Sequence, residues 1–95
     1  MVLKDILYKT SIEAVKGSTD VVVNKIEFDS RLIGKGDAFV AIRGTQSDGH
    51  DYIEKAIKLG AVVIVCEWVP EIIIDGITYI EVKSTSAALV LLTSI

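Results

Sequence analysis

Short apolar runs alternate along the chain with polar, glycine-bearing breaks, and the period within each run predicts its element. Leu3, Ile6 and Leu7 recur at helical spacing and predict a short helix over about residues 3–9. Gly17-Ser18-Thr19-Asp20 reads as a turn. Val21 to Phe28 is rich in β-branched residues and reads as a strand. Its alternation puts Val22, Asn24, Ile26 and Phe28 on one face and Val21, Val23, Lys25 and Glu27 on the other, which Lys25 and Glu27 make the wetter one near the strand's end. Gly34-Lys35-Gly36-Asp37 predicts a tight turn. Ala38 to Ile42 is almost wholly apolar, as a strand covered on both faces should be. A loop follows from Gly44 to Gly49. Asp48, or His50-Asp51, then caps a helix over about residues 51–59, with Tyr52, Ile53, Ala56 and Ile57 inward and Gly60 as its left-handed end. Ala61 to Cys66 is another continuous apolar strand. Pro70 and Asp75-Gly76 punctuate the connection to a strand over Ile77 to Val82. Ser84 or Thr85 caps a last helix carrying Ala87, Ala88, Leu89, Leu91 and Leu92.

Strands that alternate with helices and are apolar throughout imply parallel pairing. The expected fold class is therefore α/β, a small mostly parallel or mixed sheet with flanking helices. Ninety-five residues make one small domain, which buries about two thirds of its unfolded surface. Nothing marks a stop at Ile95, so the last helix is expected to run on and residues 1–95 to be the first part of a longer protein.

Charge narrows the function. The net charge is −3 and the lysines and arginines are scattered, which argues against a duplex nucleic-acid partner. The one cysteine, Cys66, lies in an apolar run and reads as a core residue. Together with the one histidine, His50, it falls short of a zinc site, and no metal ligand is assigned. No apolar run approaches the ~20 residues that span a bilayer, and the start lacks a leader pattern, so a cytoplasmic protein without membrane insertion is expected.

The candidate chemistry lies in two polar loops that flank one apolar strand: Asp29-Ser30-Arg31 before it and Gly44-Thr45-Gln46-Ser47-Asp48-Gly49-His50 after it. They form one site if their strands are neighbours. Asp29 has two readings, a bond to Arg31 or to loop amides, and direct ligand contact. Arg31 is either half of a surface ion pair or a phosphate contact. His50 reads as a helix-start residue, because no Ser, Cys or Asp is spaced to form a triad with it. Trp68 and Tyr79 read as core or rim aromatics. No catalytic residue is assigned.

These residues resemble a known family. Asp29-Ser30-Arg31, Gly36-Asp37-Ala38-Phe39-Val40-Ala41, Gly44, Asp48-Gly49-His50-Asp51-Tyr52-Ile53, Ala56 and Gly60-Ala61 look like the N-terminal domain of the Mur ligases. These enzymes form amide bonds at the expense of ATP in peptidoglycan synthesis. The loop from Gly44 to His50 is most similar to the branch that extends UDP-N-acetylmuramoyl-L-alanyl-D-glutamate by meso-diaminopimelate or L-lysine. The resemblance implies that this domain binds the UDP-sugar end of that substrate through Phe28, Ser30, Thr45, Gln46 and Ser47, with Asp29 and Arg31 in support. It implies that ATP and Mg²⁺ are bound by the remainder of the protein and not by these residues, which contain no Gly-x-x-x-x-Gly-Lys-[Ser/Thr] run. Two alternatives stand beside it: the family branch that adds D-alanyl-D-alanine, and a non-catalytic α/β module that binds a nucleotide or a protein.

Overall fold

The computed structural model describes residues 2–7, 10–44 and 46–93. A short helix α1 (Leu3–Leu7) precedes strands β1 (Ile12–Lys16), β2 (Ile26–Glu27) and β3 (Ala38–Val40). Helix α2 (Ile53–Leu59), β4 (Val63–Cys66), β5 (Thr78–Val82) and helix α3 (Thr85–Thr93) follow. The sheet order is β1-β5-β4-β3-β2. Strands β2 to β5 pair in parallel and β1 lies antiparallel on β5, so the sheet is mixed and the expected α/β class holds.

The period of two along the inner strands sorts their side chains into two layers. Ala38, Val40, Val63, Val65, Ile80 and Val82 face Leu3, Leu7, Ala88 and Leu92 of α1 and α3. Phe39, Ile64, Cys66 and Tyr79 face Ile53 and Ala56 of α2. Helices on both faces explain why these strands are continuously apolar. Ser84 caps α3 through a bond from Ala87 N to its hydroxyl at 3.2 Å. Gly60 ends α2 at φ +119, and a Cβ there would lie 2.6 Å from Lys35 Cα. Of the helix expected over residues 3–9, Leu3–Leu7 is present and residues 8 and 9 lie outside the described set.

Two expectations are corrected. The strand expected over Val21 to Phe28 shrinks to Ile26–Glu27, because the chain bends at Asn24. Asn24 N donates to Gly36 O at 2.9 Å, and its side-chain amide donates to Lys35 O at 2.8 Å. The bend breaks the expected alternation: Val23 is fully buried in the α1/α3 layer and half-buried Ile26 packs against the same layer, although the two were expected on opposite faces, and Val22 is 62% exposed. Strand β1 was not expected at all. It is an edge strand with only Ile12 and Ala14 half-buried, so its apolar signal is weak, and its place comes from pairing with β5.

Candidate functional site

Strands β2 and β3 are parallel neighbours, so the loops leaving their C-terminal ends lie side by side. After β2, Glu27 Oε1 accepts from Phe28 N at 3.1 Å and from Asp29 N at 3.3 Å, which turns the chain sharply. Asp29 then caps a 3-10 turn over Ser30–Leu32. Its Oδ1 accepts from Arg31 N and Nε, both at 3.0 Å, and its Oδ2 accepts from Arg31 Nη2 at 2.8 Å. The hydrogen bonds from the Arg31 side chain, then its backbone, hold the Asp29 carboxyl down at about 2. Asp29 and Arg31 are thus bonded first to each other. Ser30 is only 8% exposed, and its hydroxyl has no hydrogen-bond partner among the described residues.

The second loop is folded by its own backbone. Gly44 N donates to Ser47 O at 2.8 Å and Gly49 N to Ile42 O at 2.7 Å. Gly49 must be glycine at this approach, since a Cβ would stand 2.6 Å from Ile42 N. Arg43 and Asp48 bridge across the loop's base. Asp48 Oδ1 accepts from His50 N at 2.9 Å and lies 2.7 Å from His50 Nδ1. Glu67 N donates to His50 Nε2 at 2.9 Å, so Nε2 is bare and the ring proton sits on Nδ1, aimed at Asp48. Burial pushes the Asp48 carboxyl up, but the hydrogen bonds from His50 outweigh it and leave it below its usual value. The ring stacks on Trp68 at 3.7 Å. His50 is therefore a structural clamp between this loop and the end of β4, as a helix-start residue more than as a catalyst. Glu67 continues the clamp: Oε1 accepts from Arg43 Nε at 2.9 Å, and Oε2 accepts from Thr85 N at 2.9 Å and Thr85 Oγ1 at 3.1 Å.

Between the loops opens a cleft of about 530 Å³. Phe28, Asp29, Ser30 and Arg31 line one wall and Gly44 and Ser47 the other, over a floor that includes buried Phe39. Of the residues expected at the site, these loops bring together Phe28, Ser30, Ser47, Asp29 and Arg31. Gln46 is exposed and does not line the cleft, and Thr45 lies outside the described residues. Beyond the two loops and the strand between them, the cleft is also lined by Tyr52 and Lys55, which the sequence reading missed. Tyr52 was expected on the inner face of α2. It belongs instead to a 3-10 turn over Gly49–Tyr52, whose tighter winding rotates it outward, and it is half-exposed over the cleft. Their i, i+3 spacing on one helix edge was the available signal. Cys66 is fully buried, and burial pushes its thiol up to about 12. Among the described residues, no group of three or more His, Cys, Asp or Glu is placed to hold a metal ion, and no helix is long and apolar enough to cross a membrane.

The model of the Mur ligase family, catalytic domain, matches residues 22–94. A UDP-N-acetylmuramoyl-L-alanyl-D-glutamate–2,6-diaminopimelate ligase of Cytophaga hutchinsonii is 46% identical over 95 residues, covering 99% of this chain and 20% of that protein. The enzyme of the same name from Phocaeicola vulgatus is 45% identical over 85 residues, covering 90% of this chain and 18% of its own. Among solved structures, the MurF ligase of Thermotoga maritima in complex with ADP superposes with a TM-score of 0.64 at 32% identity, over 77% of this chain and 16% of that one. The chain spans about a fifth of the length of the curated relatives it matches.

Proposed function

The chain belongs to the Mur ligase family, and from that premise we propose that it is the part of an ATP-dependent ligase that grips the UDP-N-acetylmuramoyl end of a peptidoglycan precursor. The observation that carries this reading is the cleft at the C-terminal ends of β2 and β3, where a serine hydroxyl with no partner among the described residues shares the lining with two exposed aromatic rings. Open α/β sheets receive ligands at this end of their strands.

The lining matches the chemistry of a uridine nucleotide. Uracil is flat and needs an apolar slot with one or two directed hydrogen bonds. Phe28, 56% exposed, and Tyr52 supply ring surface, and the Ser30 hydroxyl can both donate and accept. Ser47 brings a hydroxyl and its loop's amides to the other wall, with Gln46 and Thr45 beside it in the chain. Each such neutral contact contributes about 1 kcal/mol. In this reading these groups bind the nucleotide, and the domain's role is to hold and orient.

The whole protein would join UDP-N-acetylmuramoyl-L-alanyl-D-glutamate to 2,6-diaminopimelate in the cytoplasm, the reaction named for relatives at 40–46% identity. When bound by the whole protein, ATP would supply the driving force through activation of the substrate carboxylate. ATP and Mg²⁺ would be held by the rest of that protein, since this sequence has no phosphate-loop run. In the full-length ligase, Ser30→Ala is expected to raise the KM for the UDP-linked substrate about fivefold and leave the KM for ATP unchanged. Equal effects on both would count against the assignment. Measuring which amino acid or dipeptide the enzyme adds separates the diaminopimelate reading from the D-alanyl-D-alanine one.

A further inference from the structure

We propose that Lys55 is the cation that meets the diphosphate in this cleft, an inference that rests on the uridine-nucleotide reading above. A diphosphate carries several negative charges, and the loops around the cleft offer few cations able to answer them. Arg31 lines the wall, but its Nε and Nη2 are both bonded to Asp29. Arg43, at the base of the second loop, is bonded through Nε to Glu67. Lys25, just before β2, donates to Leu32 O and sits within 4 Å of Glu27 and Asp37. For any of these to take a phosphate, an existing carboxylate or carbonyl contact must be given up or shared.

Lys55 lines the same cleft and has no hydrogen bond or ion pair among the described residues. Lys55, in the first turn of α2, lies three residues after Tyr52 of the preceding 3-10 turn, and the two line the same cleft. Its place near the opposite wall is independently visible at Asp29, whose carboxyl is held low first by Arg31 and also by the charge of Lys55. A lysine on a four-carbon stem suits this task, since it meets phosphate oxygens as a point charge without a fixed fork geometry. Tyr52 and Ser30 would then take the base, and Lys55 the charge that distinguishes a nucleotide from a nucleoside.

The test measures binding of UDP and of uridine to the full-length protein, with Lys55→Met, Lys55→Arg and Ser30→Ala as variants, at low and at raised salt. Methionine keeps the stem and the helix propensity while removing the charge. Lys55→Met is expected to weaken UDP about fivefold, to leave uridine unchanged and to flatten the salt dependence of UDP binding, with Lys55→Arg restoring most of it. Equal weakening of UDP and uridine, or a UDP affinity within about twofold of the parent, overturns the role of Lys55. If Ser30→Ala weakens UDP while Lys55→Met does not, only this inference fails. If the parent protein binds no UDP, the uridine-nucleotide reading fails and this inference with it.

Discussion

The two ends of the parallel strands are built from similar glycine-rich polar turns, yet one is closed and the other open. At the N-terminal end, most polar groups of the Gly34–Asp37 turn are answered from within. Gly36 N donates to Gly60 O at 2.9 Å, Gly34 N donates to Asp37 Oδ2 at 2.7 Å, and Val62 N donates to Asp37 O at 2.9 Å. Asp37 is buried there with Lys25 3.7 Å away. At the C-terminal end the backbone is equally well tied, by Asp29, Asp48, His50 and Glu67. There, however, a serine hydroxyl, two aromatic faces and a lysine are left over around an open cleft. Polarity alone therefore does not mark a site. The mark is polar and aromatic groups that remain without partners after the local structure is satisfied.

That contrast can be broken first at the closed end. Gly60→Val must place a β-branched residue at φ +119 and a Cβ 2.6 Å from Lys35 Cα, a backbone atom that cannot swing away. We expect a loss of about 3 kcal/mol or more, seen as a fall in the thermal midpoint. An unchanged midpoint would mean that α2 does not end against this turn. Asp37→Ala comes next: it strips the acceptor from Gly34 N and is expected to cost about 2 kcal/mol in denaturant unfolding. Ser30→Ala, at the open end, should leave stability nearly unchanged while raising the KM for the UDP-linked substrate, because its hydroxyl has no partner among the described residues to lose. A large stability loss there would erase the distinction between the two ends.

The smallest effect is a pH dependence belonging to the open end. Asp29 is lowered from 3.8 to about 2 by the hydrogen bonds from Arg31, so folding favours its charged form. The stability it contributes is present above about 3.8 and is lost as pH falls toward about 2. Asp48 is lowered too, despite burial, and adds in the same direction. Unfolding curves should show a decline across that acid window that is shallower in Asp29→Asn. An identical decline in the variant would show that the Asp29–Arg31 pair is not formed in solution.

Much of this was legible in the order of residues. The apolar runs over 38–42, 61–66 and 77–82 locate three of the five strands, since a strand covered on both faces must be apolar throughout. Gly60 announces the end of α2, because a left-handed residue closing a helix is best made by glycine. The two loops, Asp29-Ser30-Arg31 and Gly44 to His50, were singled out from their residue types and the strand between them, and Cys66 was placed in the core by its neighbours. What the linear pattern could not decide depends on partners distant in the chain. Strand β1 exists only because β5 offers it an edge, and Val21–Phe28 is cut short because Asn24 finds Lys35 and Gly36. Tyr52 faces the cleft because a 3-10 turn rotates it, and Lys55 is the available cation only because Asp29 and Glu67 already hold the two arginines. Local periodicity sets which residues prefer the interior. Competition among hydrogen-bond partners, settled only once the elements are packed, decides which polar groups are left free to meet a ligand.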